Sequence, residues 1–341
     1  MPKSKSYTLW FLILGLVLVG VFLANISLGS VVIPTKEVFK SLISTIDNES
    51  WHYIIHNYRL PKAFTAVMVG SGLGISGLLM QTLFRNPLAG PFVLGISSGA
   101  SLGVALIILG AGIFSGLATL LISKWTLVIA ASFGSFLVLL AVMAVATKVR
   151  DSMAILIIGL MFGSITSAVV SVLSYFSSAQ KLQQYIFWGF GSLGNLSWHE
   201  LTVFFFIYLL GLLLSILSIK ALNTLLLGEN YAKSLGLNIK QSRLIIILAT
   251  SLLAGTITAF SGPIAFIGLA IPHMVRQVFT TSNHKILVPA VFIFGAIVML
   301  ICDSIAQLPA SDYTLPINAI TSLIGAPVVI WLLVRKRKMV F

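Results

Sequence analysis

The chain has 341 residues, of which 58% are hydrophobic and 9% charged, against about 25% charged in soluble domains. Such a composition excludes a soluble globular domain, a disordered chain and a nucleic-acid-binding surface. The net charge of +13, from 21 basic and 8 acidic residues, fits the basic loop bias of a membrane protein instead. The lone Cys302 lies in an apolar run and cannot form an internal disulfide.

A membrane-crossing helix needs about 20 predominantly apolar residues, at about 1.5 Å each against a core of about 30 Å. In chain order the predicted spans are 7–28, 60–84, 91–113, 125–147, 153–176, 201–222, 244–264, 266–280, 286–308 and 315–334. The first follows Lys3 and Lys5 like a signal peptide. It is long for one, and no A-x-A-like site follows, so it reads as a retained span. The eighth is short and bracketed by Pro263 and Pro272, which predicts a tilted, broken or partial crossing. The longest polar gap, about 30–57, is too short for a catalytic domain. The sequence therefore predicts an all-α polytopic membrane protein of about ten transmembrane helices, with residues 1–341 as one integral membrane domain.

Orientation follows from Lys and Arg. With the N-terminus inside, the inner segments hold Lys3, Lys5, Arg85, Lys148, Arg150, Lys220, Lys233, Lys240, Arg243, Arg276, Lys285, Arg335, Lys336, Arg337 and Lys338. Only Lys36, Lys40, Arg59, Lys62, Lys124 and Lys181 fall outside, together with the acids Glu37, Asp47, Glu49, Glu200 and Asp312. The expectation is a multi-pass protein of the cytoplasmic membrane, surrounded by lipid, with both termini cytoplasmic.

Two G-x-G-x-x-G strings, Gly72–Gly74–Gly77 and Gly189–Gly191–Gly194, lack the strand, helix and distal acid of a dinucleotide site. The first lies within a span, where glycines let helices approach closely. Gly70/Gly74, Gly95/Gly99, Gly99/Gly103 and Gly159/Gly163 have the same small-xxx-small spacing. No Gly-Lys pair exists, so the chain has no P-loop, and any nucleotide energy must come from a partner. Asp303 is the clear ionisable residue within a span, read as a buried structural acceptor with a proton relay as the alternative. His273, near Arg276 at an inner helix end, reads as structural. His52 and His56 lack the Glu of a zincin helix, and no metal centre or cofactor is expected.

The outer stretch 185–198 is rich in aromatics and glycine, and suggests an interfacial belt or a re-entrant turn at a pore mouth, with Trp188, Gly191, Ser192 and Asn195 as candidates. The inner stretch 220–243 predicts two short surface helices. Leu222, Leu225 and Leu226 form one apolar face, punctuated by Gly228; Tyr231, Ala232 and Leu235 form another, stopped by Gly236. A faint echo relates Arg59-Leu60, Gly70 and Ser76-Gly77 to Arg243-Leu244, Gly255 and Ser261-Gly262, in opposite membrane directions. No convergent acid, base and nucleophile set marks an enzyme.

Arg59-Leu-Pro-Lys62, Val69-Gly70, Ser76-Gly77, Gln81, Arg85-Asn-Pro-Leu-Ala-Gly-Pro91 and Leu94-Gly95-Ile-Ser-Ser-Gly-Ala100 resemble the FecCD-type permeases. Trp188, Gly191-Ser-Leu193, Trp198, Ser261-Gly-Pro-Ile264, Phe266-Ile-Gly-Leu269, Pro272-His273, Arg276, Asp303 and Leu323-Ile-Gly-Ala-Pro327 continue the match along nearly the whole chain. The resemblance implies the type II ABC importer permease fold and import of an iron–siderophore, haem or cobalamin. It implies a homodimer with the pathway between the copies, two ATP-binding ABC subunits inside and a substrate-binding protein outside. By the same resemblance 220–243 is the coupling loop, with Leu225, Glu229, Tyr231, Ala232, Leu235 and Gly236 as its contacts. Arg59 and Lys62 become docking residues for the binding protein, together with Gln307, which stands where members often carry arginine. The alternative is a secondary transporter or channel working alone.

Overall fold

The computed structural model describes residues 7–44, 48–110, 123–146, 152–309, 311 and 313–334, and among them all regular structure is helical. In order the helices are α1 (Thr8–Ser27), α2 (Thr35–Ile43), α3 (Glu49–Ile54), α4 (Leu60–Leu83), α5 (Ile96–Ile108), α6 (Lys124–Ala146), α7 (Ser152–Tyr175), α8 (Ala179–Gly189), α9 (Trp198–Leu217), α10 (Ile219–Leu225), α11 (Glu229–Ser234), α12 (Ile239–Ser261), α13 (Ile267–Val278), α14 (His284–Ala306) and α15 (Ile317–Val334). Among the described residues, seven helices are long and apolar enough to cross a membrane: α1, α4 with its extension from Glu49, α6, α7, α9, α12 and α14. The other three predicted spans are shorter helices, α5, α13 and α15. Both chain termini, with Lys3, Lys5 and 335–341, lie outside the described residues, as do Asp47, Lys148, Arg150 and Asp312.

Short polar residues start several helices. Asn48, Asn238 and Asn283 accept backbone N–H groups of α3, α12 and α14, and Ser197 with Glu200 forms a capping box on α9. The predicted polar gap before the second span is not a simple loop. It holds α2 and α3, and a π-helical turn, Ile55–Arg59, carries α3 into α4.

α4 is the central post, buried along almost its whole length, whereas α1, α6, α7 and α9 bury one side and expose apolar side chains on the other. Glycine permits the central packing. A Cβ on Gly70 would fall 2.2 Å from the Gly295 carbonyl oxygen of α14, and one on Gly77 would fall 1.6 Å from that of Gly268 on α13. Gly99 meets Gly134, Gly103 meets Ala130, and Gly159 meets Val93, each at backbone. Of the small-xxx-small glycines, Gly70, Gly99, Gly103 and Gly159 are thus where backbones touch without side chains between them, whereas Gly74, Gly95 and Gly163 receive side chains of Val291, Val138 and Ser98.

The third and eighth spans are each entered through backbone that is not α-helical, and the eighth is the partial crossing that its length predicts, with Pro272 inside a continuous α13. Between α4 and α5 the chain rises as an irregular segment with a 3-10 turn, Pro91–Leu94, and becomes α-helical after left-handed Gly95. Between α12 and α13 it descends from Gly262 to Phe266, both left-handed, before α13 begins. Gly268 meets the Leu73 carbonyl, thirteen residues or about 20 Å along α4. Ile96 meets Gly255 in the half of α12 nearer its C-terminus. The two half-helices therefore start within the bundle and leave it in opposite directions. The spatial inversion hinted at by the sequence echo is present, but Ser76-Gly77 lies within α4 whereas Ser261-Gly262 ends α12.

Gly77→Ala is expected to cost about 1–3 kcal/mol through overpacking, read as a lower unfolding midpoint of the purified protein. Gly15→Ala, which meets nothing within 4 Å, should leave that midpoint unchanged.

Candidate functional site

Polar side chains collect at the two ends of the bundle. At the end carrying α2 and α3, a cleft of ≈ 570 Å³ opens between the α8–α9 connection and the α14–α15 connection, lined by Lys62, Phe190, Ser192, Asn195, Asp303 and Pro316 among others. A second cleft of ≈ 360 Å³ adjoins it at Lys62, Gly194 and Thr314, and reaches Arg59 and Gln307.

Asp303 sits at the base of this region. Its carboxylate pairs with Lys62 Nζ at 3.1 Å and accepts hydrogen bonds from Asn25 Nδ2 at 2.9 Å and Gln307 Nε2 at 2.7 Å. It lies within the span helix as the sequence suggests, one turn from the end of α14, in a knot that joins α1, α4 and α14. Three polar partners offset the desolvation that a lone carboxylate would suffer. Lys62 keeps 22% of its side chain exposed, while Gln307 is buried.

Arg59 also points inward. Its guanidinium donates to the carbonyls of Ile26 at 2.7 Å and Ser27 at 2.9 Å, and to that of Val31. These acceptors lie at and just beyond the end of α1, where carbonyls lack intrahelical partners. The fork expected to meet an acidic partner is thus committed to backbone in this conformation.

Gly191, Ser192 and Asn195 line the larger cleft, whereas Trp188 stacks on Tyr185 beside it. Gly191 is left-handed, and Ser192 N donates to Ser261 O at 2.8 Å. Asn318 ties the same turn down: its N–H donates to Phe190 O, and its Oδ1 accepts Ala265 N. The aromatic, glycine-rich stretch is thus a short helix, α8, and a tight turn pinned over the α12–α13 break.

At the opposite end, α10 and α11 form the two short helices expected in 220–243, with left-handed Gly228 between them and left-handed Gly236 after α11. The predicted contact set divides. Leu222, Leu225 and Ala232 are buried against the bundle, whereas Leu227, Tyr231 and Leu235 are each more than half exposed. Glu229 pairs with Arg243 at 2.9 Å. Nearby, His273 Nε2 meets Pro87 O at 2.8 Å, linking α13 to the α4–α5 connection, and Arg276 donates to Gln81 Oε1 at 3.1 Å, linking it to the end of α4.

α7 carries a feature that the span pattern concealed. Ser164, Ser167 and Ser171 are exposed at i, i+3 and i+7, a stripe distinct from the exposed apolar stripe Met161, Ile165, Val169 and Val172. Helical-wheel spacing within 153–176 could have separated them. Asn25, the lone amide within the first span, was likewise visible in sequence, but its partner on α14 was not.

Asp303→Asn leaves the Lys62 ammonium without a counter-charge. It is expected to cost about 1–3 kcal/mol in thermal unfolding, and the paired Lys62→Met/Asp303→Asn variant should recover most of that loss.

The FecCD transport family model matches residues 16–335. The chain is 35% identical over 329 residues to the hemin transport system permease HmuU of Yersinia pestis, covering 96% of each. It is 37% identical over 309 residues to the vitamin B12 import system permease BtuC of Klebsiella pneumoniae, covering 87% of this chain and 90% of that one. A solved metal-chelate type ABC transporter in an inward-facing conformation superposes with a TM-score of 0.82 at 33% identity, over 97% of this chain and 100% of that one. PsaBC of Streptococcus pneumoniae shares the fold at a TM-score of 0.54 and 15% identity, covering 87% and 95%. With a P-loop absent, helices throughout and this match along nearly its full length, the chain belongs to the FecCD transport family and has the type II ABC importer permease fold.

Proposed function

We propose that the chain is the membrane-spanning permease of an ABC importer that brings an iron–siderophore, haem or cobalamin-type ligand into the cytoplasm, using ATP hydrolysed by partner subunits. The relatives transport hemin and vitamin B12, ligands of one size class: large, rigid, metal-bearing and polar at the rim. The α10 end faces the cytoplasm, since Arg85, Lys220, Lys233, Lys240, Arg243, Arg276 and Lys285 gather there.

One observation carries the coupling role. Leu227, Tyr231 and Leu235 are bare apolar side chains on a surface pair of helices, beyond the ends of the spans. They offer a helix to a groove on an ATP-binding subunit. Leu225 and Ala232 seat that helix on the bundle, while Glu229 and Gly236 fix its two ends. A stand-alone carrier has no use for such a knob.

The serine stripe of α7 supports a pathway between two copies of the chain. Hydroxyls facing a partner copy suit a ligand with polar edges, while the neighbouring Met161–Val172 stripe faces lipid. At the opposite end the substrate-binding protein docks over the clefts, with Trp188, Gly191, Ser192 and Asn195 at the mouth. Lys62, which lines both clefts, and Lys124, which donates to Asn195 O, are reachable cations there, while Arg59 and Gln307 line the smaller cleft.

Tyr231→Asp and Leu235→Asp should each reduce copurification of the ATP-binding subunits by about tenfold without lowering the unfolding midpoint. Ala232→Asp, a charge at a fully buried position, should instead lower the yield of folded protein. Equal copurification in the two exposed variants would remove the coupling role. Lys62→Glu should slow association of the binding protein by about tenfold at low salt and flatten the salt dependence, measured by surface plasmon resonance on nanodiscs. Uptake assays with haem, ferric siderophores and cobalamin in proteoliposomes identify the cargo.

A further inference from the structure

A buried polar chain runs from the surface helix α10 into the bundle. Asn223 of α10 accepts two hydrogen bonds on Oδ1, from the His284 backbone N–H at 2.8 Å and from His284 Nδ1 at 2.8 Å. Its amide nitrogen donates to Asn283 Oδ1 at 3.0 Å, which also accepts Lys285 N at 3.0 Å. On the far side of the imidazole, Nε2 lies 2.8 Å from Thr82 Oγ1 in the last turn of α4. The His284 side chain is fully enclosed.

The tautomer follows from the partners. An amide oxygen only accepts, so Nδ1 carries the proton. In the neutral ring Nε2 then offers a lone pair, and the single Thr82 hydroxyl proton is shared between it at 2.8 Å and the Leu78 carbonyl of its own helix at 2.9 Å. The His284 ring is thus held on both sides, and removing the Thr82 hydroxyl or the Asn223 amide oxygen leaves a buried imidazole nitrogen unpaired.

This chain joins the surface helix α10 to α4 and α14. α10 belongs to the surface pair proposed to receive the ATP-binding subunit. α4 and α14 are the two helices locked at Gly70 and Gly295, and they share the Lys62–Asp303 pair at the opposite end. A displacement of α10 is therefore handed to α4 and α14 together. α4, 24 residues long, spans about 36 Å and reaches the clefts at the other face.

We infer that Asn223, His284 and Thr82 form a polar strut that transmits the movement of α10 to the α4–α14 pair, making His284 and Thr82 positioning residues for the coupling of ATP hydrolysis to transport. The inference rests on the permease reading above, and two measurements separate the failure of each.

The first uses the purified chain alone. Nitroxide labels replace the exposed Lys220 and Lys285, which flank the strut on α10 and α14. Their distance distribution should be narrow in the otherwise unaltered chain and in Thr82→Ser, which keeps the hydroxyl. It should broaden in Thr82→Val, which keeps the shape and removes the donor. Equal distributions in all three would overturn the strut. The second uses the complex with its copurifying ATP-binding subunits in proteoliposomes. Thr82→Val should lower the cargo moved per ATP by about fivefold, Thr82→Ser should restore it, and Thr82→Val/Asn223→Ala should be no worse than either single change. An additive double variant, or an unchanged cargo-to-ATP ratio despite a broadened distance, would overturn the coupling role. Absence of ATP-driven uptake in the unaltered complex would overturn the permease reading, whatever the distances show.

Discussion

The arrangement of this bundle depends on how closely α4 approaches α13 and α14. At Gly77–Gly268 and Gly70–Gly295 the helices meet backbone to backbone. In a membrane, apolar side chains gain little by leaving lipid, so close van der Waals contact and polar pairing must supply the association. Glycine meets the first need by removing the Cβ that would hold helices apart. Ion pairs and hydrogen bonds meet the second at the ends, where Asp303 gathers Lys62, Asn25 and Gln307. The central post is thus fixed in its middle by missing side chains and at its extremities by charged and amide groups.

That closeness also makes the broken helices tolerable. Non-helical backbone inside a membrane must find its hydrogen bonds within the protein. The stretch before α13 does so: Ala265 N reaches Asn318 Oδ1, and Ser261 O receives Ser192 N. The stretch before α5 is held by Gly90 O, Phe92 O and the His273–Pro87 contact. Both breaks are flanked by left-handed residues, and only Phe266 and Arg85 among these four carry a Cβ, with Gly95 and Gly262 completing the set. The Phe266 Cβ lies against Gly325 of α15, so a third glycine accommodates the strain.

Much of this was legible from residue pattern. The apolar runs gave the membrane class and located the seven helices long enough to cross, with α5, α13 and α15 shorter than the spans expected there, and the Leu and Gly spacing in 220–243 gave two surface helices. The eighth span announced its partial crossing through its length and through Pro263, which lies in the break before α13, whereas Pro272 is accommodated inside that helix. The third did not, because Phe92, Val93 and Leu94 are as apolar as any helix, and hydropathy is blind to backbone conformation. Side-chain direction was the other loss. Arg59 was read from its place at a span end as a surface cation, yet it turns back to cap the carbonyls of α1. Ala232 and Tyr231 are neighbours of similar apolar reading, and only the tertiary packing sends one inward and the other out. Pairings such as Asn25 with Asp303 or Thr82 with His284 join residues more than 200 positions apart, a separation across which a single sequence carries no register.

The segment between α4 and α5 joins the two mechanical parts of the molecule. On one side it abuts α13, where Pro91 lies against Gly268, and it accepts a hydrogen bond from His273 at Pro87. On the other, the Val93 carbonyl lies against Gly159 of α7, the helix whose serine stripe is exposed. A glycine contact is stiff, because backbone has no rotamers through which to yield. Residues 85–95, with left-handed Arg85 and Gly95 near their ends, are therefore held by close contacts on both flanks, so that α13 and α7 share one connecting segment, each meeting it at a glycine.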